Sequence, residues 1–322
     1  MDLSIIIPIY NVEKFLPKCL ASVVINEWRG ITYEIIVVDD ASPDGSLTIA
    51  KEFSMKYPQI KIISQENRGL GGARNTGVRK AGGNYVFFLD SDDYLLPCVM
   101  NRVLLVVKKE QLDVAEFGAI RVDENYNKIG ESFIKEHFTE VFSGTDYIEK
   151  YDFDNSACNK LYRRIFLLEN NLNFLEKTYV EDAPFNAEVF VKAKKVMALA
   201  EVPVAFLHNR NSITRQKRTG AQLVKFVKDS IKVTHYIHTI ALSGLPNLTE
   251  EVLKKRVAVF TSGTLLMILR SDLPRIVKKK YIADLQNNDL YPMYYRSKIP
   301  ARDFFIKITN NRLILRFLLR VL

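Results

Sequence analysis

Leu3 to Pro8 is a short apolar run closed by proline, and it predicts a buried strand. Phe15, Leu16, Cys19, Leu20 and Val23 then recur at helical spacing between Val12 and Val24. Tyr33 to Val38 predicts a second strand, ending at Asp39-Asp40. Ser42-Pro43-Asp44-Gly45-Ser46 is a turn placed to cap a helix over Leu47 to Tyr57. Ile60 to Ser64 predicts a third strand. Gly69-Leu70-Gly71-Gly72 opens a helix that runs through Arg74 to Ala81, and Gly82-Gly83 ends it. Tyr85 to Leu89 is the next strand. Strands alternating with helices imply right-handed crossovers and a mostly parallel α/β sheet flanked by helices.

Beyond about residue 100 the pattern loosens. Val99 to Lys109, Cys158 to Asn170 and Asp182 to Ala193 predict helices. Val114 to Val122, Glu140 to Phe142 and Val196 to Leu207 predict strands. From about Gln222 helical spacing dominates, so a boundary is expected near residue 215, followed by a helical carboxy-terminal extension.

Composition narrows the classes. Of 322 residues 48% are hydrophobic, enough for a sizeable core, and 26% are charged, which argues against extended disorder. Cys19, Cys98 and Cys158 lie far apart with no CxxC pair, which suits a reducing cytoplasm and not a zinc or disulfide framework. No basic segment precedes the first strand, so a signal peptide is not expected. No apolar run approaches the roughly 18 residues of a membrane span. Net charge is +9, and Asp272 to Leu322 carries +7 of it, with eleven Lys or Arg against four acids. Such a tail suits an anionic membrane surface or nucleic acid.

The chemistry concentrates at Asp90-Ser91-Asp92-Asp93, directly after an apolar strand. Three carboxylates within four residues raise one another's pKa unless a cation sits among them. A hard divalent ion shared with a diphosphate is the natural remedy. Open α/β sheets bind ligands at the carboxyl ends of their strands. Asp39, nearest the end of the second strand, would face the same crevice and accept hydrogen bonds from a base or ribose. Asp40 and Asp44 are better explained as turn residues. The glycines from Gly69 either let a nucleotide approach the backbone or pack a helix tightly on the sheet. Arg74 and Asn75 are placed to reach a phosphate or a carboxylate of the tetrad.

Four motifs in order then resemble the family 2 glycosyltransferases of the GT-A fold. They are Ser4-Ile-Ile-Ile-Pro-Ile-Tyr-Asn11 with Glu13; Ile36-Val-Val-Asp-Asp-Ala-Ser-Pro-Asp-Gly45; Asn67-x-Gly69 with Ala73-Arg-Asn-x-Gly77; and Asp90-Ser-Asp-Asp93. Asn159-Lys-Leu-Tyr-Arg-Arg164, Tyr179-Val-Glu-Asp182 with Phe185, and Asn209-Arg-Asn-Ser-Ile-Thr214 extend the resemblance over roughly the first 215 residues. It implies a GT-A type, Rossmann-like fold in which 1–105 binds the nucleotide sugar and 106–215 the acceptor, with 216–322 helical. It implies transfer of a sugar from a nucleotide diphosphate, most often a UDP-sugar, to a hydroxyl of a glycan or lipid-linked saccharide, as in bacterial surface-polysaccharide synthesis.

Residue roles follow from the same resemblance. Pro8, Tyr10, Asn11 and Glu13 would line the nucleotide pocket, and Asp39 would hydrogen-bond the base. Asp90, with Ser91, would contact ribose or metal-bound water. Asp92 is the first candidate ligand for Mn2+ or Mg2+, and Asp93 and His208 are further ones. Arg210 would pair with phosphate. Asp182 would be the general base, with Glu181 orienting sugar or acceptor, so one in-line displacement would invert the anomeric carbon. Lys160 and Arg163 are either phosphate contacts or a basic helix face.

Arg312, Arg316 and Arg320 recur every four residues among Leu313, Ile314, Leu315, Phe317, Leu318, Leu319, Val321 and Leu322. This suits a helix lying in the plane of a membrane's cytoplasmic face, with Phe304, Phe305 and Ile306 extending the contact. The other reading is a terminal helix packed on the body or on a second subunit. Two other classes compete with sugar transfer. A nucleotidyltransferase would use the same acidic metal site, but the Gly-rich basic loop after the first strand is missing. A non-catalytic nucleic-acid binder would use the basic tail, but the tail is too apolar and carries no binding motif.

Overall fold

A computed structural model describes residues 1–133, 140–208 and 218–321 of the chain. Its elements in order are β1 (Leu3–Ile9), α1 (Leu16–Val24), β2 (Tyr33–Asp39), α2 (Ser46–Lys56), β3 (Ile60–Ser64), α3 (Gly69–Lys80), β4 (Tyr85–Phe88), β5 (Tyr94–Leu95) and α4 (Val99–Glu110). There follow β6 (Val114–Val122), β7 (Lys128–Ser132), α5 (Gly144–Tyr151), β8 (Lys160–Arg163), α6 (Arg164–Glu169), α7 (Asp182–Lys192) and β9 (Val196–Leu207). Helices α8 (Gly220–Ala241), α9 (Asn247–Arg270), α10 (Arg275–Asn287), α11 (Pro300–Thr309) and α12 (Arg312–Val321) complete the chain.

The chain divides into two compact units. One comprises Met1–Tyr147, Phe153–Lys177 and Val189–Gln216, and the other Ile148–Asp152, Thr178–Glu188 and Lys217–Leu322. The first holds a mixed α/β sheet in the order β3-β2-β1-β4-β8-β6-β9-β5, with β7 beside β6. Its amino-terminal half, β3-β2-β1-β4, is parallel throughout. Beyond β4 the sheet turns mixed: β8 runs antiparallel to β4 and β6, and β9 runs parallel to β6.

Every residue of β1 is buried, which is why the strand reads as a continuous apolar run. Each fully buried Ile or Leu contributes about 1.5–3 kcal/mol relative to exposure. Helix α3 lies close on this strand because position 77 is glycine. A Cβ there would come within 2.3 Å of Ile6 Cγ2.

The helix expected over Cys158 to Asn170 is two elements, β8 and the short α6. Sheet pairing overrides the helical spacing here. Strand β8 fills the gap between β4 and β6 and carries Lys160 into the interior. Lys160 Nζ lies 3.0 Å from Glu116 Oε1 and donates to the carbonyls of Asp154 and Ser156. Glu116 also accepts from Tyr147 Oη at 2.6 Å and Asp154 N at 2.9 Å. Lys160 is therefore a core cation on a strand and does not lie on a basic helix face. Of the strand expected over Glu140 to Phe142, only Phe142 makes a bridge, to Val196.

In the second unit α8 packs on α9, α10 and α11 pack on α9, and α12 packs on α10 and α11. Among the described residues no helix is long and apolar enough to cross a membrane.

Candidate nucleotide and metal site

Strands β1, β2 and β4 end on one edge of the sheet. The register pairs Ile9 with Asp39 and Ile6 with Phe88, and Leu89 N donates to Ile6 O. The segments after Ile9, Asp39 and Leu89 therefore leave the sheet side by side. Tyr10 stands exposed just beyond β1, and Asn11 takes the left-handed conformation at φ 57°. Pro8, two residues earlier, is part of the buried strand opposite Val38.

The loops at this edge fasten one another. Glu13 Oε2 accepts from Gly45 N at 2.7 Å, and Glu13 N donates to Asp44 Oδ2 at 2.9 Å. Asp44 Oδ1 accepts from both Ser46 N and Ser46 Oγ. Asp40 Oδ1 accepts from Gln65 Nε2 and Arg68 N. Asp39 is buried and accepts from Ser42 N at 3.1 Å. The structure thus engages the Glu13 carboxylate in holding a turn. Gly69 has φ +73°, and a Cβ there would lie 3.1 Å from the Lys177 backbone. Glycine at 69 serves the crossing of this loop over Lys177, whose N–H donates to Arg68 O.

The tetrad sits on a buried cation. Arg74 is 1% exposed, and its Nη2 lies 2.8 Å from Asp90 Oδ1. The guanidinium also faces the rings of Phe174 and Phe88 at 5.2 and 5.9 Å. Of the two targets expected for Arg74, the structure shows the tetrad carboxylate. Asn75 instead grips the chain at Phe174, donating to its carbonyl and accepting from its N–H.

Asp93 is buried and accepts from Leu207 N at 2.8 Å. Burial, then the charges of Asp92 and Asp90, push its carboxyl well above the usual carboxylate range. The Cys19 thiol, beneath the tetrad and 3.7 Å from Asp90 O, is pushed up by burial and by the same acids. Ser91 is buried and Asp92 half-buried.

His208 follows the Leu207 N–H that Asp93 accepts, and pairing of β5 with β9 holds this stretch beside the tetrad. Its backbone N–H donates to Val122 O, and its Nδ1 is buried without a hydrogen-bond partner. Arg210 lies outside the described residues.

A divalent cation fits these donors as a shared ligand set. Among the described residues no three His, Cys, Asp or Glu side chains converge into a metal cage. Mg2+ is typically held by one or two carboxylates together with substrate phosphates, and asks for no such cage. The raised carboxyl of Asp93 and the orphaned His208 nitrogen are the groups such an ion would relieve.

Glu181 and Asp182 belong to the second unit. Tyr179 and Val180 form a turn, and Val180 has φ 63°. A β-branched residue in that region costs on the order of 1–3 kcal/mol and marks an over-determined position. The turn is held from α8, where Asp229 Oδ2 accepts from Tyr179 N at 3.0 Å. The Tyr179 ring lies 5.6 Å from the Arg218 guanidinium and 4.8 Å from Lys225 Nζ. Glu181 is buried, and the half-buried Asp182 opens α7. No sequence motif flagged Asp229 or Arg218; Asp229 lies 50 residues beyond Tyr179 and Arg218 about 40, and only packing joins them to the turn.

The model of the family described as glycosyl transferase family 2 matches residues 4–169. The chain is 27% identical over 247 residues to the uncharacterized glycosyltransferase YibD of Escherichia coli, covering 74% of this chain and 70% of that one. It is 33% identical over 219 residues to the uncharacterized glycosyltransferase EpsJ of Bacillus subtilis, covering 66% and 62%. It spans only 31% and 33% of two longer curated relatives. The fold is shared with residues 1–349 of Staphylococcus aureus TarS, solved with UDP, at TM-score 0.70 and 22% identity over 100% of this chain and 87% of that one.

Proposed function

Because the chain belongs to glycosyl transferase family 2, we propose that it transfers a sugar from a UDP-sugar to a hydroxyl of a glycan or lipid-linked saccharide, with inversion and with a divalent metal. The observation that carries this reading is the sheet edge where Asp39, Asp90, Asp92 and Asp93 emerge together. Family membership favours sugar transfer over nucleotidyl transfer at the same acidic edge. The UDP in the TarS structure supports a uracil nucleotide.

Each role rests on this chain's residues. Asp39 accepts from the base N–H, and Tyr10, exposed beyond β1, covers the base. Pro8 and Asn11 shape the pocket wall. Asp90, steadied by Arg74, takes the ribose, and Ser91 lies beside it. Asp92, Asp93 and His208 would hold Mn2+ or Mg2+. When bound with the diphosphate, that ion neutralises charge developing on the leaving group. Arg210 is assigned to phosphate by motif. Asp182 takes the proton from the acceptor hydroxyl, and Glu181 orients sugar or acceptor. One displacement with one base inverts the anomeric centre, so an α-linked donor gives a β-linked product.

The test is UDP release from a panel of nucleotide sugars, with and without Mn2+ or Mg2+ and without acceptor. Slow metal-dependent release from one sugar is expected. Release from none, with no UDP binding, contradicts the proposal.

A further inference from the structure

Helix α12 separates two roles that the sequence left as alternatives. Leu315 and Leu319 are buried and turn the helix toward α10 and α11. Leu313, Phe317 and Val321 are exposed, at 73%, 61% and 64%. At 3.6 residues per turn this row lies roughly 160° around the helix from the buried one. Arg312, Arg316 and Arg320 are also exposed and form the row between, roughly 100° from the exposed apolar side chains. The helix therefore packs on its own unit and also presents an unpartnered apolar ridge flanked by cations.

We propose that this ridge docks on an anionic lipid bilayer, with α12 lying in the plane of the interface. Leu313, Phe317 and Val321 enter the acyl boundary, and the three arginines meet lipid phosphates at its rim. Charge selects this occupant over a second copy of the chain. Residues 299–321 contain one acid, Asp303, whose carboxylate is taken by Ser297 N and Oγ. A two-fold pairing of α12 would set arginine rows against each other with no carboxylate to offset them. An anionic bilayer supplies the missing charge, and the +7 of Asp272 to Leu322 adds to the attraction. Of the three residues expected to extend the contact, Phe304 is exposed, Phe305 half-buried and Ile306 buried, so only Phe304 is available in full.

The inference is independent of the sugar-transfer reading, since its readout is binding alone. The full chain is sedimented with phosphatidylcholine vesicles, with and without phosphatidylglycerol. It should pellet with the anionic vesicles and be released by high salt. A Leu313→Glu, Phe317→Glu variant should lose affinity by roughly tenfold or more. An Arg312→Gln, Arg316→Gln, Arg320→Gln variant should lose affinity for anionic vesicles by about tenfold or more. All five substitutions are at exposed positions and leave Leu315 and Leu319 in place. No binding to anionic vesicles, or binding unchanged in both variants, overturns the proposal. So does a concentration-dependent dimer that Phe317→Glu dissociates while vesicles bind neither form.

Discussion

Arg74 Nη2 lies 2.8 Å from Asp90 Oδ1, so the acidic end of β4 is built over a cation that is 1% exposed. Of the three neighbouring acids, Asp90 is the one this guanidinium pairs. Removing one partner of a buried pair costs about 3–5 kcal/mol, and the partial exposure of Asp90 places this case near the lower end. Arg74→Ala should destabilise the protein by about 3 kcal/mol and weaken UDP binding. Arg74→Lys should recover only part of either, since it lacks the plane that faces Phe174. Chemical denaturation and UDP titration check both.

The raised carboxyl of Asp93 makes a prediction of opposite sign. Its folded pKa exceeds its unfolded one, so the folded state holds the extra proton between the two values. Stability is present in full below the unfolded pKa and is lost as pH rises through the folded one. Asp93→Asn keeps an acceptor for Leu207 N and removes the charge. In metal-free buffer at neutral pH the variant should melt above the wild type, while binding UDP more weakly in Mn2+. A melting temperature that falls in step with the UDP affinity would contradict this.

Asp182→Asn should abolish sugar transfer and leave UDP binding within about twofold, because Asp182 is assigned to the acceptor proton and not to the nucleotide. Wild-type turnover by this variant would remove the base assignment.

Val180 supplies a structural test of the same turn. Its φ of 63° carries about 1–3 kcal/mol of strain, against about 0.5–1 kcal/mol for the freedom glycine adds to the unfolded chain. Val180→Gly should therefore raise stability by about 1 kcal/mol. It should also lower kcat, because the turn before Glu181 and Asp182 loosens.

Lys160 is placed far from any phosphate role by its burial. Lys160→Met leaves Glu116 without its cation in the core and should cost about 3–5 kcal/mol. UDP affinity of the folded fraction should be unchanged. A selective loss of UDP binding without loss of stability would return Lys160 to the site.

What could be read from the sequence follows from how local its cause is. Strand β1 shows as an apolar run because it is buried along its whole length, and Val114–Val122 and Val196–Leu207 match their expected limits. The tetrad and Asp39 were legible because strand ends place them in sequence. Strand β8 was hidden because Lys160 and Arg163 look solvent-bound until Glu116 and Asp113, more than 40 residues away, are seen to hold them. The engagement of Glu13 with Gly45 and of Asp229 with the Tyr179 turn likewise spans gaps that no spacing rule covers.

The central claim is that the edge carrying Asp39 and Asp90 to Asp93 holds a nucleotide diphosphate with a divalent ion. Its most direct test is calorimetric titration of UDP into the protein with and without Mn2+, for the wild type and for Asp92→Asn. The account predicts binding strengthened by Mn2+ in the wild type, with that gain lost in Asp92→Asn. Equal UDP binding by both proteins, indifferent to Mn2+, would contradict it.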